Sequence, residues 1–76
     1  MAQVRIWEWG LMRLDGNGNE LGLLNHTCDT RKVARQYRQN YLSLFDNAPM
    51  YVPKSKGGHG HTIKVGRVEV THRWLG

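Results

Sequence analysis

The sequence predicts an α+β domain: one helix packed on a small antiparallel sheet, in the order ββα followed by two or three further strands. Three observations carry this. A Gly/Asn turn, Asp15-Gly16-Asn17-Gly18-Asn19, separates two strand-like runs; residues 30–45 place apolar side chains at helical spacing; and Val68, Val70 and Trp74 alternate with Arg67, Glu69, Thr71 and Arg73 near the end of the chain. One helix on one face of an antiparallel sheet is the layer arrangement that such an order allows. With 76 residues, no internal repeat and no linker, the chain is expected to be a single domain, 1–76, with a thin stability margin.

The first strand is expected over residues 4–14. Val4 and Ile6 alternate with Arg5 and Trp7, and the phase slips at Glu8-Trp9-Gly10, which predicts a β-bulge at the glycine. Gly and Asn tolerate positive φ, so residues 15–19 should turn the chain and residues 20–27 should return as the second strand of a hairpin. Asp29 or Thr30 can cap a helix, because a short side-chain oxygen accepts a hydrogen bond from a free first-turn amide. The helix should run to about Phe45, with Val33, Ala34, Tyr37, Tyr41, Leu44 and Phe45 on the arc that meets the sheet. Asp46-Asn47-Ala48-Pro49 should end it, since proline and the residue before it resist helical geometry. Residues 50–53 are expected to form a short strand with Pro53 at its end, and residues 54–61 a flexible basic loop. Residues 62–65 and 67–74 read as two strands broken at Gly66, or as one long bulged strand.

Charge then directs attention to the second half. Residues 1–29 hold two arginines and four acids, net −2, whereas residues 30–76 hold nine basic residues and two acids, net +7, which together give the chain's +5. Such asymmetry predicts an anionic partner. Arg31, Arg35 and Arg38 are spaced i, i+4, i+7 and so form one helical stripe, flanked by Lys32 and Gln39, with no acid between residues 30 and 45 to neutralise it. Guanidinium groups give paired hydrogen bonds to phosphate or carboxylate. Lys54, Lys56, His59 and His61 lie on the glycine-rich loop, and Lys64 follows it. These nine residues, Arg31, Lys32, Arg35, Arg38, Lys54, Lys56, His59, His61 and Lys64, are the candidate contact set for DNA or RNA, or for an acidic surface of a nucleic-acid-handling protein complex. One of the three tryptophans, left outside the core near Arg5, Arg13 or Arg73, would suit base stacking or a protein contact.

Other chemistries find little in the residues. Asp15-Gly-Asn17-Gly-Asn19 opens like a calcium loop, but the sixth position is Glu20 and the twelfth is His26, so a hairpin turn is the better reading. His59-Gly-His61, with His26, His72 or Cys28 as further ligands, lacks the spacing of a metal site, and no metal or cofactor is expected. No nucleophile elbow is present, and Cys28 two residues from His26 on a strand is no dyad, so an enzyme is not expected. The single cysteine excludes an intrachain disulfide, no apolar run approaches membrane-spanning length, and the charged start does not read as a signal peptide; a cytoplasmic protein is expected.

In size and in order of elements the chain resembles the small proteins of bacteriophages, among which some anti-CRISPR proteins are compact α+β domains that occupy nucleic-acid-handling surfaces of a CRISPR effector complex. No motif accompanies the resemblance, so it assigns no residues. It implies an inhibitor that docks on a protein complex as the alternative to direct nucleic-acid binding, and the positive charge here is the opposite of what DNA mimicry needs.

Overall fold

A computed structural model describes residues 6–46 and 48–76, with the side chains of Asn25 and His26 excepted. The expectations that concern Val4, Arg5, Asn47 and the imidazole of His26 lie outside the described residues. The fold is α+β, as the sequence predicts: β1 (Trp7–Leu14), β2 (Glu20–Cys28), α1 (Arg31–Leu44), a 3-10 turn (Lys54–Lys56) and β3 (Thr62–Glu69). The sheet is antiparallel throughout, in the order β2-β1-β3.

β1 is the central strand, and its ladder with β3 is regular from Trp7↔Glu69 to Leu14↔Thr62. The bulge expected in β1 at Gly10 lies instead across from it, on β2. Gly10 pairs with Thr27 and Met12 with Leu23, so residues 24–26 face Leu11 alone. Gly10 has another role. It faces Gly66 across the ladder, and a Cβ on either would collide, on Gly10 with the Val68 side chain and on Gly66 with the Trp74 indole. The absent side chains let Val68 and Trp74 close over one face of the sheet.

β3 runs unbroken through Gly66 and stops at Glu69, eight residues in all, rather than continuing to Trp74 as a bulged strand. Residues 70–73 turn, and the tail doubles back along the outer edge of β3 with one bridge, Val68↔Trp74. The Glu69 amide donates to the Arg73 carbonyl and the Leu75 amide to the Arg67 carbonyl, each at 2.8 Å. The tail is a rudimentary fourth strand.

Thr30 is the N-cap of α1: its Oγ1 accepts from the Val33 amide at 3.2 Å. The face that α1 buries differs from the expected arc. Ala34 is fully buried and Arg38, Tyr41 and Leu42 are half-buried, whereas Val33, Tyr37 and Leu44 are 43%, 41% and 77% exposed. The helix is rotated because Arg38 turns inward: its Nε donates to the Ile63 carbonyl at 2.5 Å. α1 packs chiefly on β3 and less on β1 and β2. Leu11 and Ile63 form the centre of the core beneath it.

Residues 50–53 are not a strand. The Tyr51 and Val52 amides both donate to the Ala48 carbonyl, at 3.0 and 3.2 Å, so the chain coils between Pro49 and Pro53. Nor is the 54–61 segment an open loop. Lys54–Lys56 form a 3-10 turn closed by Gly57 at φ 85°, and the His59, Gly60 and His61 amides donate to the Pro49, Val52 and Met50 carbonyls. Proline carbonyls still accept, so this return path needs none of the donors that proline lacks.

Candidate nucleic-acid interface

α1 and β3 enclose a cleft of about 570 Å³ whose walls include Arg31, Arg35, Arg38, Gln39, Thr62 and Lys64. The helical spacing of the arginines brings three of them, over two turns, to one side, and β3 brings Lys64 from another part of the chain. Arg31 and Arg35 are exposed; Arg38 is half-buried and anchored, with a second nitrogen 3.4 Å from Thr62 Oγ1. A guanidinium carries five N–H groups, so Arg38 holds the β3 edge and still has donors to offer. Lys32 is exposed and lies outside the cleft walls.

The loop residues fall into two further clefts. Lys56 lines one with Asp46, His61 and Thr62; Lys54, His59 and His61 line another, against Asp15 and Asn17. Thr62 is common to the arginine cleft and the Lys56 cleft, and His61 to the Lys56 and Lys54 clefts. The three therefore run on from one another, with Asp46 and Asp15 as the acidic interruptions. Lys54 is less available than its sequence position implies, because its Nζ donates to Asn17 Oδ1 at 2.9 Å. This bond ties the loop to the β1–β2 turn. The amides of Asn17 and Asn19 both donate to Asp15 Oδ1, at 2.9 and 2.8 Å. The Asn19 amide is the main reason the Asp15 carboxyl sits below its ordinary value of 3.8, with the Asn17 amide, the Asn19 side chain and the positive field of His61 adding to it against a smaller opposing effect of burial.

His59 and His61 stand 6.0 Å apart between ring centroids, and His61 meets the Tyr51 ring edge-on at 6.2 Å. His61 Nδ1 is buried with no hydrogen-bond partner among the described residues. No group of three His, Cys, Asp or Glu side chains converges among the described residues. Cys28 is buried, and loss of hydration pushes its thiol above the ordinary 9.0, with the carboxylates of Asp29 and Glu8 acting in the same direction. No described helix is long and apolar enough to cross a membrane.

Sequence reasoning missed two participants, Arg67 and Thr62. Arg67 lies opposite Trp9 in the β1–β3 ladder, and its Cζ is 5.9 Å from the Trp7 ring centroid; Arg31 Cζ stands 5.7 Å from the Trp9 centroid. Trp7 and Trp9 thus stand near cations, Trp7 beside Arg67 and Trp9 beside Arg31. The pairing depends on strand register, which no local pattern supplies. Thr62, by contrast, carries no signal in the sequence beyond its place beside the loop. Comparison with protein-family models, with curated proteins and with solved structures finds no match for this chain.

Proposed function

We propose that the chain is a small, non-enzymatic, cytoplasmic binding protein that engages the phosphate backbone of DNA or RNA through the α1–β3 cleft, with the 54–61 loop extending the contact. The observation that carries this reading is convergence: Lys64 comes from β3, yet it lines the same cleft as the three arginines of α1. Four cations around one concave surface, with no carboxylate in its walls, match a chain of phosphates. The buried thiol of Cys28 is held neutral at ordinary pH and is a poor nucleophile, which also favours binding over catalysis.

The test is a gel-shift titration with duplex and single-stranded DNA and RNA at two salt concentrations, comparing the wild-type chain with Arg31→Ala/Arg35→Ala/Lys64→Ala. Arg38 is left intact because it also holds β3. Binding that weakens with salt, and a triple variant whose log–log salt slope is shallower by about two to three, are expected. Absence of binding by the wild-type chain at low salt rejects nucleic acid as the partner; equal binding by the variant rejects this cleft.

A second reading has its own support. Beside the cations, α1 exposes Val33, Tyr37 and Leu44, and a groove of about 550 Å³ lies among Leu24, Tyr41, Phe45, Pro49, Met50 and Ile63, with Arg13 and His59 also in its walls. Apolar surface next to positive charge suits an inhibitor of the anti-CRISPR kind that docks on an acidic patch of a nucleic-acid-handling protein. A salt-insensitive complex with one such protein, without a shift of naked nucleic acid, would favour it.

A further inference from the structure

We infer that the apolar groove beside Arg13 is a binding site for a small carboxylate with an aromatic body, and that Arg13 receives the carboxylate. This goes beyond the nucleic-acid reading, whose cleft lies between α1 and β3, and gives the groove a small-molecule occupant in place of a protein one.

The groove measures about 550 Å³, a size usual for small-molecule sites. Strand register sets its floor. Arg13 of β1 stands opposite Ile63 of β3 in one ladder and opposite Gly22 of β2 in the other. Ile63 is buried, and Gly22 has no side chain to lay over the guanidinium. Above this floor, the Phe45 and Tyr51 rings stack at 4.7 Å with 12° between their planes, and Pro49 and Met50 reach the groove from the coil after α1.

Among these rings and aliphatic groups Arg13 is the exception. It is half-buried. Its one polar contact among the described residues is a terminal nitrogen 4.0 Å from Met50 Sδ, a weak acceptor. No carboxylate lines the groove among the described residues. A guanidinium that has lost part of its water is ordinarily paired with an acid, because an unpaired charge away from water is costly. Here the chain supplies no acid, and apolar space opens beside the cation.

An aromatic carboxylate answers both features. Its two oxygens accept paired N–H bonds from Arg13, and its ring packs on Ile63 and against the Phe45–Tyr51 stack. The His59 imidazole, exposed in the same walls, can donate a further hydrogen bond. A phosphate is the poorer head group. It carries close to two negative charges at neutral pH, and one guanidinium offsets one of them, which leaves charge against an apolar wall.

The test titrates the wild-type chain with phenylbutyrate, with its uncharged amide and with acetate, and follows backbone amide shifts by nuclear magnetic resonance. Phenylbutyrate should give saturable shifts at Arg13, Leu24, Met50, Tyr51 and Ile63, in the millimolar range or tighter that about a dozen heavy atoms can reach. The amide lacks the charge-assisted pair and acetate lacks the ring, so each should bind about 10-fold or more weakly. Arg13→Gln should weaken phenylbutyrate by about 10-fold or more, and Arg13→Lys should keep part of the affinity. Circular dichroism checks that each variant is folded; if Arg13→Gln is not, the three probes compared on the wild-type chain decide alone. Equal affinity for the acid and its amide, or for the acid and acetate, overturns the site. So do shifts centred on Arg31, Arg35 and Lys64, which would place the anion in the other cleft. Absence of saturation up to about 10 mM overturns the small-molecule site and leaves the groove to a protein partner. Nucleic-acid binding is read separately by the gel shift, so the failure of either reading is distinguishable from that of the other.

Discussion

Arg38 shows how one side chain serves structure and surface together. It is the third arginine of a stripe that the sequence offers to a partner and that borders the apolar arc, and its Nε donates to the Ile63 carbonyl on the outer edge of β3. An open strand edge invites pairing with other chains, and a cation on it discourages that. Removing the guanidinium leaves a part-buried carbonyl without its donor, a loss on the order of 1–3 kcal/mol. Arg38→Ala should therefore lower the urea midpoint clearly, whereas Arg35→Ala, at an exposed position, should change stability by less than about 0.5 kcal/mol. Equal midpoints for the two variants would show that the Ile63 contact carries no stability. The distinction matters for any binding assay, because a loss of affinity in Arg38→Ala mixes unfolding with loss of a phosphate contact.

At the scale of elements, α1 is defined at its start by chemistry and in its rotation by context. Thr30 supplies the cap, and no acidic residue in the first turn adds to it. Thr30→Ala should cost about 1 kcal/mol, read as a shift in thermal midpoint, and Thr30→Ser should restore most of it. A silent Thr30→Ala would mean that tertiary packing alone holds the helix start. The start was legible because capping is local. The buried face was not: Val33, Tyr37, Tyr41 and Leu44 make an apolar arc as good as the observed one through Ala34, Arg38, Tyr41 and Leu42. Hydrophobic periodicity has no means of knowing that an arginine will turn inward to reach a strand edge. Residues 50–53 misled for a related reason, since a short apolar run between two prolines has no length to separate strand from coil.

At the scale of the molecule, the helix packs on the sheet while the doubled-back tail extends the β3 edge and lays the Trp74 indole against Gly66. Gly10 and Gly66 make room for Val68 and Trp74, so the tail is held to the sheet by one half-buried side chain. Replacing a buried indole by a methyl costs about 3–5 kcal/mol, and half-burial places Trp74→Ala near the lower end. Against a total stability expected near 5 kcal/mol for so small a domain, about 2 kcal/mol remains, so that variant should stay folded at room temperature but show a clearly lower urea midpoint and faster amide exchange in β3. Protection of β3 equal to wild type would show that the tail is dispensable. The same architecture concentrates the cations: β3 and α1 both come from the basic half of the chain, and their packing turns a compositional excess into a cleft.

The sequence by itself determined the α+β class, the 15–19 turn, a helix start capped at Asp29 or Thr30 and the arginine stripe, because turns, caps and helical spacing are set by neighbours in the chain. Only the tertiary structure decided that Lys64 joins Arg31 and Arg35, that Arg38 is half spent on β3, that Lys54 is drawn to Asn17, and that Arg31 and Arg67 stand over Trp9 and Trp7. Those relations depend on strand register and helix rotation, which arise from contacts between residues far apart in the chain and leave no periodic trace within it.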